Sequence, residues 1–166
     1  MSRLPGVEPS ERIVCHVDMD CFYAACERLR EPALRDEPVV IGMGYEPGET
    51  HGAVATASYE AREHGIESAM AISEALECLP RRETANGDAR AGFYRPVEMS
   101  YYESISEDVQ SILRASAETV REVSIDEAYL SLENISWSGA TTFGRSLKEE
   151  IETTVGVVAS IGIAPG

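Results

Sequence analysis

The stretch Ile13-Val14-Cys15-His16-Val17-Asp18-Met19-Asp20-Cys21-Phe22-Tyr23-Ala24-Ala25-Cys26-Glu27 decides the fold. Its first half, IVCHVDM, has the length and apolar content of a buried strand. Its second half opens the helix FYAACERLR, for which Asp20 is the expected N-cap. Two aspartates close together at the end of an apolar run repel each other and need a reason to be there. A second acidic pair, Asp126-Glu127, sits in IDEAYL, between the strands expected over TVREVSI and EAYLSL.

Outward from these two points the chain alternates regularly. PVVIG and GAVATA read as short strands separated by the turn-forming MGYEPGETHG. Ser58 is the expected cap of a helix YEAREH that Gly65 ends, and ISEALECL is a second short helix stopped by Pro80. RRETANGDARAG reads as a loop with an Asn86-Gly87 turn. In PVEMSYYESISEDVQSILRA, Val97, Tyr101, Ile105, Val109, Ile112 and Leu113 recur at helical spacing. Phe143, Leu147 and Ile151 mark a further helix, and residues 155–164 a last strand.

With residues 31–98 set aside as an insertion, the order is strand, helix, strand, strand, helix, strand. This predicts an α+β fold with a ferredoxin-like βαββαβ core carrying an inserted small α/β subdomain. In that topology the first strand lies beside the central hairpin. The end of IVCHVDMD then approaches the turn with Asp126 and Glu127. Residues 1–11 are expected to be a disordered leader.

The chain has 166 residues, 43% of them hydrophobic, enough for an independent core. No apolar run reaches the roughly 18 residues of a membrane span, and MSRLPGVEPS has no signal-peptide apolar region, so a cytoplasmic protein is expected. The four cysteines have no C-x-x-C spacing and read as free thiols. Acidic residues number 29 against 14 basic ones, for a net charge of −15, and Lys148 is the sole lysine. The acids are dispersed rather than blocked. Such a surface repels nucleic acid at low salt, or suits a halophile, in which abundant cations screen self-repulsion.

Asp18, Asp126 and Glu127 brought together would repel one another unless a cation sits between them. Oxygen ligands without a His or Cys partner point to Mg²⁺, with Mn²⁺ as a substitute, rather than zinc. Two such ions can activate an attacking hydroxyl and stabilise a leaving pyrophosphate, which is phosphoryl or nucleotidyl transfer. An aspartyl-nucleophile phosphohydrolase also places D-x-D after an apolar strand, but it wants a hydroxyl residue soon after the second Asp and a phosphate-binding lysine. Cys21-Phe22-Tyr23 and the remote Lys148 supply neither. Nucleotide cyclases share the two-metal logic but do not account for SIDEAYL or YEAR. A folded but inactive interaction module is the non-enzymatic alternative.

DMDCFYAACE, GAVATASYEAR and SIDEAYLSL occur here in the order of the Y-family, lesion-bypass DNA polymerases, and the chain resembles their DNA polymerase IV branch from Ile13 onward. The resemblance implies a translesion DNA polymerase. Its palm would be residues 12–30 and 99–166, its fingers residues 31–98. Asp18, Asp126 and Glu127, with the carbonyl of Met19, would hold two Mg²⁺ ions. Phe22 and Tyr23 would underlie the incoming dNTP, with Tyr23 as the steric gate against a ribose 2′-hydroxyl. Thr56, Tyr59 and Arg62 would contact the triphosphate, and Ala53 and Ala55 would form a small roof over the template base. Tyr59 and Arg62 are also i,i+3 neighbours near a helix N-terminus, a setting that favours anions.

The sequence departs from the family pattern at Ser68-Ala69-Met70-Ala71, where the family has a small residue followed by Gly-Met-Pro, and the loop over 81–92 is longer than usual. The family also continues past the position of Gly166 with a triphosphate-binding lysine, a thumb and a little finger, which grip the DNA primer-template, and with a sliding-clamp contact near its C-terminus. On this expectation the chain is a palm-plus-fingers fragment, with thumb and little finger absent, and in isolation is a feeble DNA binder.

Overall fold

The computed structural model describes residues 12–87 and 90–166. The expected leader lies outside them. The described residues divide into two compact units, residues 12–20 with 102–166 and those within 21–101.

The first unit is built on a four-stranded antiparallel sheet of β1 (Ile13–Met19), β5 (Thr119–Ser124), β6 (Glu127–Leu132) and β7 (Ala159–Pro165), in the order β5-β6-β1-β7. Two long helices complete the βαββαβ order, α4 (Met99–Ser116) and α5 (Trp137–Thr154). Strand β1 runs down the middle because it is the most apolar. Cys15 and Val17 are fully buried and Met19 nearly so, while His16 and Asp18 alternate onto the opposite face. On β6, Ala128, Leu130 and Leu132 are buried on the same side as these. Helix α5 closes that side. Gly144 lets it approach β7 so nearly that an added Cβ would already touch Ile161 and Ile163. Ser136 caps α5 by accepting from the Gly139 amide at 3.0 Å.

The helical stripe of α4 is partly as expected. Val109, Ile112 and Leu113 are buried, but Tyr102 and Ser106 take the interior positions assigned to Tyr101 and Ile105. One residue of rotation separates the two stripes, and serine in a helix interior gives no apolar signal. Ser106 is there because its hydroxyl donates to the carbonyl of Ile125, next to the acidic turn.

The second unit has a three-stranded sheet, β3-β2-β4, with β2 (Val39–Met43) antiparallel to β3 (Ala53–Ala57) and parallel to β4 (Phe93–Pro96). Strand β4 was not expected: FYRP ends in proline and carries an arginine, so only its pairing with β2 reveals it. Around the sheet lie α1 (Phe22–Arg30), α2 (Tyr59–Arg62) and α3 (Ile72–Cys78). Helix α1 groups with this unit. The cause is its packing: Ala24 shares a core with Leu34, Val39 and Ile41. A buried Glu27, held by Arg30 at 2.8 and 2.9 Å, and the Tyr101 hydroxyl donating to the Cys26 carbonyl at 2.8 Å fix it further. Burial outweighs Arg30 and leaves the Glu27 carboxyl above its ordinary range.

Two helices differ from expectation, one in its cap and one in its length. Asp20 does not cap α1. Cys21 occupies the cap position in the left-handed region at φ 43°, and the Asp20 carboxylate accepts instead from Ser160. Helix α2 is a single turn rather than YEAREH, although Ser58 caps it as expected. The buried Ser58 hydroxyl accepts from both Val39 and Ala61 amides, an arrangement whose loss would cost about 1–3 kcal/mol.

The turn between β2 and β3 requires Gly52, at φ 100°, because a Cβ there would lie 2.5 Å from the Met43 carbonyl oxygen. Ala69 also has a positive φ, 71°, at the position where the family pattern has glycine. Its amide donates to the Val54 carbonyl at 2.8 Å, so the strand partner fixes this backbone. A left-handed alanine costs about 1–2 kcal/mol, partly offset by the greater unfolded-state entropy of glycine. Ala69→Gly is therefore expected to stabilise the protein by about 1 kcal/mol, raising Tm by about 2–4 °C in a calorimetric scan.

Candidate active site

Three carboxylates come together on the first unit because of strand register. Strands β1 and β6 pair so that Asp18 stands directly opposite Glu127 and His16 opposite Tyr129. On the other side of β1, Asp18 is opposite Ser160 of β7. Asp126 occupies the turn before β6, and its carbonyl accepts from the Met19 amide at 2.9 Å. The Asp20 amide donates to Val158 at 2.8 Å. Asp18, Met19, Asp126 and Glu127 are thus tied at the backbone, with the Asp18 and Glu127 side chains on the sheet face turned away from the apolar core.

Three of the four carboxylates at this end of the sheet, those of Asp20, Asp126 and Glu127, have a polar side-chain partner. Ser124 donates to Asp126 at 3.0 Å, Ser160 donates to Asp20 at 2.6 Å, and the His16 Nε2 lies 2.6 Å from the Glu127 Oε1. The expectation of a site without histidine is therefore corrected: His16 reaches Glu127 diagonally across the strand pair. Alternation within IVCHVDM puts His16 and Asp18 on one face, and that was the available signal. The His16 ring also lies against Tyr129, centroids 4.7 Å apart.

Asp18 is exposed to solvent, yet partial desolvation followed by the charges of Asp126 and Glu127 lifts its carboxyl above the ordinary range. His16 pulls it the other way and Asp20 adds a weaker upward push. Among the described residues, no group of three His, Cys, Asp or Glu side chains is arranged to hold a metal ion as the side chains stand. The donor chemistry fits a hard divalent ion even so. The three carboxylates have adjacent backbone positions, and their mutual repulsion is what a cation would relieve.

The other expected residues belong to the second unit. Phe22 is buried, whereas Tyr23 is partly exposed and packs against the core formed by Leu34, Val39 and Ile41. Thr56 pairs with Ile41, and Ala53 and Ala55 share one face of β3, both partly exposed. Tyr59 is exposed, with the Arg62 guanidinium 5.3 Å from its ring centre. A one-turn α2 has little macrodipole, so anion binding here would rest on side chains and not on a helix terminus.

The raised Asp18 carboxyl has a consequence for stability. Because its folded-state value lies above the unfolded one, the ionised form penalises the fold at neutral pH, and the penalty disappears as pH falls through the folded value. Asp18→Asn is expected to raise Tm by about 1–2 °C in EDTA at pH 7, since an exposed charge is well screened (~0.5 kcal/mol). Calorimetry at stepped pH should show the difference fading in acid.

The chain matches the impB/mucB/samB family over residues 17–166. It is 64% identical over 165 residues to the DNA polymerase IV of Halobacterium salinarum, covering 98% of this chain and 40% of that protein. The DNA polymerase IV of Methanoculleus marisnigri is 38% identical, with 93% and 41% covered. Among solved structures, a Y-family DNA polymerase chimera of Dbh and Dpo4 superposes with a TM-score of 0.83 at 32% identity, covering 93% of this chain and 43% of that one. An insertion ternary complex of Dbh DNA polymerase gives 0.79 at 31%, with the same coverage. The chain thus spans about two fifths of the length of these relatives. Across that span, with Asp18 and Glu127 paired on one sheet face, Asp126 in the adjoining turn and similarity from residue 17 to the last residue, the chain belongs to the impB/mucB/samB family and has the fold of the Y-family polymerases.

Proposed function

We propose that this chain is the palm-and-fingers portion of a translesion DNA polymerase, carrying out template-directed nucleotidyl transfer. The observation that carries the reading is the β1–β6 register, which places Asp18 opposite Glu127 and ties Met19 to Asp126 in a chain of this family. The palm is assigned to residues 12–30 and 99–166 and the fingers to residues 31–98.

Asp18, Asp126, Glu127 and the Met19 carbonyl are assigned to two Mg²⁺ ions, with Mn²⁺ able to substitute. When bound, these ions would supply activation of the primer 3′-hydroxyl and charge stabilisation of the pyrophosphate. The protein's contribution is positioning. The hairpin fixes the carboxylates, so little reorganisation is required as charge develops on the α-phosphoryl group. Tyr23 is assigned as the steric gate. Its packing against Leu34, Val39 and Ile41 supports this, because a gate must be unable to yield. Phe22 backs it from within the core. Thr56, Tyr59 and Arg62 are assigned to the triphosphate, the arginine as a forked donor to phosphate oxygens. Ala53 and Ala55 present only methyl groups on their face of β3 and are assigned to the roof over the template base.

The partners on this reading are a DNA primer-template and a dNTP, in agreement with a neighbour described as an insertion ternary complex. The sliding-clamp contact is assigned to the part of the full-length relatives that this chain does not span. No described helix is long and apolar enough to cross a membrane, and the setting assigned is the cytoplasm. The acidic surface and the similarity to a Halobacterium protein support a high-salt environment.

Calorimetric titration of dATP and ATP with Mn²⁺ in molar KCl tests the reading. dATP is expected to bind only with metal, ATP at least about tenfold more weakly (~1.4 kcal/mol), and Asp126→Asn to abolish both. Tyr23→Ala should close the gap between the two nucleotides. Metal-independent binding, or equal binding of dATP and ATP to the unmodified chain, would sink the assignment.

A further inference from the structure

His16 takes no part in the assignment above, yet it makes a close polar contact with one of the three carboxylates. Its Nε2 is 2.6 Å from Glu127 Oε1, and both side chains are about one-third exposed, at 35% and 33%. The contact is set by the sheet. His16 and Glu127 are diagonal neighbours on adjacent strands, a spacing that only long or aromatic side chains bridge. Tyr129, directly opposite His16, lies against the imidazole with the planes tilted by 37° and limits its rotation. A carboxylate accepts hydrogen bonds, so Nε2 carries the hydrogen and donates it.

Glu127 needs such a donor more than its neighbours do. It stands directly opposite Asp18, the closest like-charged pairing an antiparallel sheet offers, and that pairing pushes the two side chains apart. Asp126 is short and lies in the turn beside its own serine donor. Glu127 has one more rotatable bond than an aspartate, and without a donor its carboxylate would sample several orientations.

We propose that His16 is a positioning residue that braces Glu127 across the strand pair, so that the carboxylate is held on the sheet face for a divalent ion. The inference rests on the reading of Asp18, Asp126 and Glu127 as metal ligands. Donors behind metal-binding carboxylates commonly contribute about 10- to 100-fold in metal affinity.

The test is Mn²⁺ binding to this chain, read from the electron paramagnetic resonance signal of free Mn²⁺, with circular dichroism melting of every variant. Glutamine places its amide nitrogen where the imidazole Nε2 lies, whereas asparagine is polar but too short. His16→Gln is expected to bind within a few-fold of the wild type. His16→Asn and His16→Leu are expected to weaken binding by about 10- to 100-fold. If Gln and Asn bind alike, or if His16→Leu binds as tightly as the wild type or tighter, the brace is overturned. Asp126→Asn separates the two levels. If it abolishes binding while the His16 variants leave it unchanged, the ligand reading stands and the brace alone falls. If Asp126→Asn leaves Mn²⁺ binding unchanged, the ligand reading falls and takes the brace with it. Should His16→Leu fail to fold, the comparison of Gln with Asn still decides.

Discussion

Everything at the candidate site depends on the register of β1 between β6 and β7. Side chains alternate along a strand, so a slip of one residue would bury Asp18 and expose Val17. Three buried residues on β1, Ile13, Cys15 and Val17, stand opposite Leu132, Leu130 and Ala128 on β6. Burying such side chains contributes about 1.5–3 kcal/mol for each large one, far more than the repulsion between partly solvated carboxylates. The core therefore selects the register, and the carboxylates are carried onto one face as a result. A cluster that would not assemble by its own electrostatics is assembled by the hydrophobic pattern behind it.

The same reasoning explains why the site was legible in sequence and part of its surroundings was not. The strand IVCHVDM and the hairpin around Asp126 and Glu127 are encoded locally, by apolar runs and a turn, and their meeting follows from the strand order. The partners of the carboxylates are encoded differently. Ser124, Ser160 and His16 reach them across strands or within a turn; nothing local distinguishes the two serines, and His16 is marked only by its alternation onto the face of Asp18. Asp20 is the instructive case. Its position before a helix made it a natural cap, but the left-handed Cys21 turns the chain so that Ser160 takes the carboxylate. Tertiary geometry overrode a sound local rule.

In the second unit the long-range element was again the one missed. Strand β4 pairs parallel with β2, and parallel pairing leaves no hairpin signal in the sequence. Its Arg95 is held by Glu31 at 2.9 Å, a contact between residues far apart in the chain, which lowers the Glu31 carboxyl. Arg28 likewise ties the end of α1 to the Leu34 and Glu37 carbonyls and to Glu60. In a chain with 14 basic residues against 29 acidic ones, these arginines act as internal clamps. Arginine suits that use better than lysine, because its rigid fork satisfies several oxygens at once.

That division of labour bears on how so acidic a chain can belong to a family whose relatives act on DNA. Net charge acts at long range and is screened within about 8–10 Å at ordinary salt, and within about 3 Å at molar salt. At molar salt the surface carboxylates no longer repel a phosphate backbone from a distance, while contacts at hydrogen-bond range persist. The cost is that cation–phosphate affinity falls steeply with salt concentration, so grip cannot come from scattered charge alone. A polymerase in that setting would depend on close, directional contacts made by few residues. Arg62, beside Tyr59 on the single turn capped by the buried Ser58, has that form: one guanidinium on a backbone anchored by two hydrogen bonds to β2 and α2. On the proposed reading, rigidity of the support stands in for number of charges, because Ser58 fixes the backbone from which Arg62 projects.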